Sequence, residues 1–129
     1  MDKIPVSIAV ICKNEARNIE RLLKSVDDFA EVIIVDSGST DDTLSIARRY
    51  TPHIYHHDWA GDGPQRQIAM AYCRYDWVLN LDADEQLTPA LIEEIKQAIT
   101  SSEYVAYNLK FNDYFMGQFD HQYARMHAK

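Results

Sequence analysis

Glycine is scarce in this chain, with four among 129 residues, and the stretch Cys12–Arg17 that follows the first apolar run has none. That absence excludes the G-x-G-x-x-G turn on which a dinucleotide-binding oxidoreductase holds its pyrophosphate. Cysteine is scarcer still: Cys12 and Cys73 form no CxxC pair and no disulfide-framework spacing, so both are expected as reduced, buried thiols. Long apolar runs are missing too. Val6–Cys12 and Val32–Val35 fall far short of the roughly 20 residues a membrane-spanning helix needs. Met1–Pro5 lacks the regions of a signal peptide, which predicts a cytoplasmic location. Basic residues are outnumbered, 13 Lys and Arg against 20 Asp and Glu for a net charge of −7, and they are not clustered. A nucleic acid would gain its affinity from such a cluster, so no nucleic-acid partner is expected. An acidic chain that binds a phosphorylated ligand needs a cation between the two.

What remains is a sequence of ordinary composition, 47% hydrophobic and 26% charged, with no linker or low-complexity segment. A domain of this length buries roughly two thirds of its unfolded surface. Apolar runs alternate with helical patterns, the mark of βα units around a mostly parallel sheet and hence of a three-layer α/β/α fold. Val6–Cys12 predicts a strand, and Ile19, Leu22, Leu23 and Val26 repeat as one helix face. Glu31–Asp36 predicts a strand covered on both faces. Ser39 with Asp42 three residues on resembles a capping box, opening a helix with Leu44, Ala47 and Tyr50 inward until Pro52 ends it. His53–His57 predicts a short strand, residues 59–64 a loop, Gln65–Arg74 a helix and Tyr75–Leu81 another strand. Thr88 and Pro89 suit the N-cap and first position of a helix striped by Leu91, Ile92, Ile95, Ala98 and Ile99. Tyr104–Phe111 predicts a further strand, and residues 112–129 have no clear periodicity.

Ligands of open α/β sheets bind beyond the carboxyl ends of the strands, and here those ends are acidic. Lys13-Asn14-Glu15 follows the first strand, Asp36 with Asp41 and Asp42 the second, and Asp82-Ala83-Asp84-Glu85 the strand at 75–81. Carboxylates two apart on an extended segment reach a cation directly or through its water, and hard oxygen ligands select Mg²⁺ or Mn²⁺. The plain alternative is an acidic turn before a helix whose dipole favours anions. Other readings fit less well. An EF-hand loop from Asp82 meets Leu87 where Gly must turn. A dehalogenase-type phosphatase expects Thr where Gln86 stands and places its motif first in the chain. His56 and His57 are adjacent on a strand and point to opposite faces, against a zinc site with His53.

Four blocks resemble glycosyltransferase family 2, the inverting nucleotide-sugar enzymes of the GT-A fold. They are Val6–Glu15 with Asn18-Ile19, Val32–Thr43, Gly63-Pro-Gln-Arg-Gln67, and Trp77–Glu85 with its DxD strand; the resemblance as a whole covers roughly residues 5 to 118. Gln67 departs from the family's usual Asn. The Asp82–Glu85 form, the Trp59 loop, the Gln65-Arg66 pair and Asn112–Gly117 most resemble the branch that glucosylates lipopolysaccharide inner core. The resemblance implies donor contacts at Asn14, Glu15, Asp36, Ser37, Arg66, Asp82 and Ala83, with Glu15 on the nucleoside, Asp36 on the uracil and Arg66 at the diphosphate. It implies Mn²⁺ or Mg²⁺ on Asp84 and Asp82. It also implies a UDP-sugar donor, a hexose (glucose foremost) as the group transferred, a glycan acceptor such as lipopolysaccharide core, and peripheral contact with the inner face of the cytoplasmic membrane. The expected division is a donor-binding domain over 1–111 and the start of an acceptor-side region over 112–129, truncated, so that the GT-A fold is incomplete and the general base lies outside the chain. A non-catalytic nucleotide-sugar-binding remnant is the alternative.

Overall fold

The computed structural model describes residues 3–100, 106–111 and 122–128. Ten elements follow in order: β1 (Ile4–Cys12), α1 (Ile19–Ser25), β2 (Phe29–Asp36), α2 (Thr43–Ala47), β3 (Ile54–His56), α3 (Asp62–Tyr72), β4 (Trp77–Asp82), α4 (Pro89–Ala98), β5 (Ala106–Phe111) and β6 (Gln122–Ala128). The sheet runs β3-β2-β1-β4-β6-β5. Its first four strands are parallel, β6 runs antiparallel to β4, and β5 antiparallel to β6.

Alternation along the strands builds two cores. On β1, Val6, Ile8 and Val10 face one way, where with Ile34, Leu79 and Leu81 they meet Ile19, Leu22 and Leu23 of α1, Ala47 of α2, and Leu91, Ile95 and Ala98 of α4. Ala9, Ile33, Val35 and Val78 face the other way, under Ala69 of α3 and Cys73. Helices therefore cover both faces, giving the three-layer α/β/α arrangement. Burial on both sides is why β2 reads as a continuous apolar run rather than an alternating one.

The predicted stripe of α1 is buried along its length. The start of α4 is as predicted: the Thr88 hydroxyl accepts from the Leu91 amide at 3.2 Å, with Pro89 directly after it. Two helix starts differ from expectation. Ser39 is not a cap, because its hydroxyl is committed to Asp36 at 2.5 Å and to the Asn14 amide at 2.8 Å; α2 begins at Thr43. Its inward face is Thr43 and Ala47, with Leu44 and Tyr50 half-buried. α3 begins at Asp62 rather than Gln65. Pro64 is tolerated there because first-turn amides have no intrahelical partner. The unplaced tail contains β6, paired with β4.

Away from the acidic rim, Glu31 is a buried carboxylate with a full set of partners. It accepts from the Ser7 hydroxyl at 2.8 Å, the Arg74 amide at 2.9 Å and Arg74 Nε at 2.7 Å. Burial works against its charge, but the Arg74 and Ser7 bonds outweigh it and hold the carboxyl below its ordinary range.

Candidate functional site

The carboxyl ends of β1, β2 and β4 are level, since Cys12 stands opposite Asp36 and Ile11 opposite Asp82 in register. Above them opens a cleft of about 500 Å³ lined by residues of β1 and its loop, by Ser37, by Trp59, by Asp62 and Arg66 of α3, and by Asp82–Asp84. Of the residues expected at the site, Glu15, Ser37, Arg66, Asp82, Ala83 and Asp84 all line it.

Arg66 bridges two carboxylates. Its Nη2 donates to Asp82 Oδ1 at 2.5 Å and its Nε to Asp62 Oδ2 at 3.2 Å. Partial burial opposes its charge, but both carboxylates outweigh that, and the guanidinium stays cationic. Beyond β4 the chain turns tightly: the Glu85 amide donates to Asp82 O at 2.9 Å, and the Asp82 amide donates to Glu85 Oε1 at 2.6 Å. That reciprocal closure buries Ala83 and leaves Asp84 exposed at the tip, with no ion pair among the described residues. Asp84 and the second oxygen of Asp82 thus offer two hard donors. Among the described residues no three His, Cys, Asp or Glu side chains converge on one point. This donor set suits Mg²⁺ or Mn²⁺, which are commonly held by one or two carboxylates with phosphates and water completing the shell.

Asn14 and Asp36 are placed differently from the other candidates. Asn14, at φ 53°, accepts on Oδ1 from the Thr40 amide at 2.7 Å and the Asp41 amide at 3.3 Å, stitching the β1–α1 loop to the β2–α2 loop. Asp41 returns the link, accepting from the Ala16 amide at 3.2 Å and from the Thr43 hydroxyl. Asp36 is 1% exposed, and its two oxygens take bonds from the Gly38 amide (2.9 Å), the Ser39 amide (2.8 Å), the Ser39 hydroxyl and Cys12 Sγ (3.5 Å). A carboxylate has about four acceptor positions, so Asp36 is saturated by its own turn. Burial raises its pKa, but the Ser39 and Gly38 bonds prevail and keep it ionised. Gly38, at φ +118°, permits that turn. Asp36 therefore does not gather with Asp82 and Asp84 around one cation.

Cys12 and Cys73 are both buried and not joined in a disulfide, as expected. His56 Nε2 contacts Asp58 Oδ1 at 3.0 Å while His57 Nε2 contacts Tyr72 Oη at 2.7 Å, so the two turn to different partners. Sequence reasoning placed Lys13 at the rim and noted the Trp59 loop without assigning either residue a role, and missed Asp62 altogether. Trp59 carried the one readable signal, a large aromatic in an otherwise small and polar loop.

Glu85 yields a prediction. It is 5% exposed; burial first, then the charges of Asp82 and Asp84, push its carboxyl up to about 7 from an ordinary 4.5, against the pull of the Asp82 amide and Arg66. The folded state therefore holds a proton that the unfolded chain has released between pH 4.5 and about 7. Stability from this group is complete below that window and is lost as pH rises through it. Glu85→Gln, which keeps the acceptor, is expected to gain on the order of 2 kcal/mol relative to the parent between about pH 5 and about pH 8. Urea unfolding of both proteins at the two pH values measures it; a parallel response would place Glu85 as an ordinary ionised carboxylate.

Comparison with known proteins identifies the family and the fold. The profile of Glycosyl transferase family 2 matches residues 7–127. The chain is similar to an uncharacterized glycosyltransferase of Rickettsia bellii, 42% identical over 109 residues that cover 81% of this chain and 37% of that protein. It is 34% identical over 121 residues to the lipopolysaccharide core biosynthesis glycosyltransferase LpsC of Rhizobium meliloti, covering 89% of this chain and 45% of the relative. It thus spans less than half the length of these curated relatives. The crystal structure of S. aureus TarS 1-349 in complex with UDP-GlcNAc superposes with a TM-score of 0.66 at 25% identity over 80% of this chain and 33% of that one. The parallel strands and their helices are a part of the GT-A fold, and the chain belongs to glycosyltransferase family 2.

Proposed function

We propose that this chain is the donor-binding side of an inverting glycosyltransferase that moves a hexose, glucose foremost, from a UDP-sugar to a glycan acceptor of the lipopolysaccharide-core kind. The observation that carries the reading is the juxtaposition of Arg66, Asp82 and Asp84 in one cleft at the carboxyl rim of the sheet. Support comes from TarS, crystallised with UDP-GlcNAc, and from LpsC, named for lipopolysaccharide core biosynthesis. On this reading residues 1–111 form the donor domain and 112–129 begin the acceptor side.

Asp84, with Asp82 directly or through water, would hold Mn²⁺ or Mg²⁺, which neutralises charge building on the departing nucleoside diphosphate. Arg66 would turn its remaining donors to a diphosphate oxygen, its Nε and Nη2 being held by Asp62 and Asp82. Glu15 and Ser37, which line the cleft, would face the nucleoside. Inversion requires one displacement, with the acceptor hydroxyl deprotonated by a base on the face opposite the diphosphate. Asp113 and Asp120, the carboxylates of the tail, lie outside the described residues, as does Asn112–Gly117. No helix among the described residues is long and apolar enough to cross a membrane; the reading places the protein in the cytoplasm, with peripheral contact at the inner membrane face.

Calorimetric titration with UDP in Mn²⁺ and again in chelator tests the function. Binding should be tight with metal and weaker by at least about 100-fold without it, because the cation carries the attraction between the acidic rim and the diphosphate. Absence of binding in Mn²⁺ overturns the reading. Binding without any hydrolysis or transfer of UDP-glucose would favour the non-catalytic alternative.

A further inference from the structure

Trp59 is the large hydrophobic residue that the described fold leaves most exposed, at 59%, and it is the one aromatic among the residues lining the cleft. Its loop is not slack. Gln65, 1% exposed, spends its whole amide on it: Oε1 accepts from the Ala60 amide and Nε2 donates to the His57 carbonyl, both at 3.1 Å. The residues on either side of the Asp58-Trp59 step are thereby clamped. His57 is fixed twice more, by its amide on Asp36 O at 3.0 Å and by its ring on Tyr72 Oη at 2.7 Å. Tyr72 in turn stacks on Tyr55 with centroids 3.8 Å apart. Gly61, at φ +107°, then turns the chain into α3. An indole held open to water by a buried clamp has its apolar face unused, and a ligand that covers it loses little conformational freedom in doing so.

The position says which part of a ligand it would cover. In the order β3-β2-β1-β4, Trp59 follows β3 and Asp84 follows β4, strands that lie three spacings, roughly 14 Å, apart across the rim. If the diphosphate rests between Arg66 and Asp84, the cleft continues only toward β1, β2 and β3 among the described residues. The transferred sugar must remain open to an acceptor, so the enclosed direction takes the nucleoside. We propose that Trp59 is the stacking platform for the donor's nucleobase, a role that rests on the UDP-sugar reading above.

Stacking on an aromatic face contributes roughly 1–3 kcal/mol per base by alanine substitution, which is about 5- to 150-fold in affinity. Titration of the 129-residue chain in Mn²⁺ with UDP, UDP-glucose and inorganic pyrophosphate separates the possibilities. Trp59→Ala should weaken UDP and UDP-glucose alike by about 10- to 100-fold and leave pyrophosphate unchanged, while Trp59→Phe keeps affinity within about threefold. Equal losses for UDP and pyrophosphate would mean that the loop, not the base, was disturbed, and would overturn the proposal. Loss for UDP-glucose alone would move the platform to the sugar and overturn it too. Unchanged UDP affinity in Trp59→Ala removes the platform but leaves the donor site standing, whereas a parent protein that binds pyrophosphate and no better to UDP removes the UDP-sugar reading itself.

Discussion

Asp84→Asn is expected to lower Mn²⁺-dependent UDP affinity by at least about 100-fold, because substitutions merely behind a metal's ligands already cost 10- to 100-fold. The change is nearly isosteric and Asp84 is exposed at the tip of its turn, so stability should move by no more than about 0.5 kcal/mol. Calorimetry with and without chelator isolates the effect: the two proteins should bind UDP equally once metal is removed. Asp42→Asn, at the exposed start of α2 and outside the cleft, should bind like the parent. A loss that persisted in chelator would mean that Asp84 positions the turn rather than the cation.

Leu79→Ala should cost about 3–4 kcal/mol, a large fraction of the roughly 5–15 kcal/mol by which domains are stable. Leu79 is fully buried and stands opposite Ile8 on β1, at the centre of the core roofed by α1 and α4. The strands on both sides are pinned by backbone pairing, so the cavity cannot close by collapse. In urea the midpoint should fall with an unchanged slope. The half-buried Ile92 on α4, packed at the margin of the same core, should cost less when changed to alanine. A cost near that of Ile92→Ala at position 79 would show that the interior relaxes around the gap.

Most of the framework was legible because it depends on local chemistry that the chain states openly. Unbroken apolar runs marked β1, β2 and β4, a 3.6-residue stripe marked α1, and a Thr-Pro pair marked the start of α4. The misread parts depend on partners distant in the chain. Ser39 has the composition of a cap, but Asp36 and Asn14 claim its hydroxyl from outside the helix. β6 owes its extended form to pairing with the free edge of β4, and Gln, Arg, Met and His carry little strand preference of their own. At the rim, the sequence marked which carboxylates were present but not which were free. Asp36 and Asp84 look alike as residues after strands, and only the fold reveals that one is saturated by its turn and the other open. Trp59 was legible as a resemblance; its presentation by Gln65 was not.

The central place of β1 bears on how the chain acquires its shape. Ile8 has its partner at Leu79, about 70 residues farther along, and closing so long a loop precedes any gain from the pairing. Non-local parallel pairing of this kind slows folding from microseconds toward milliseconds or seconds. On the ribosome, the first strand must therefore wait with one flank uncovered until β4 has emerged, an interval in which its unpaired edge is open to aggregation.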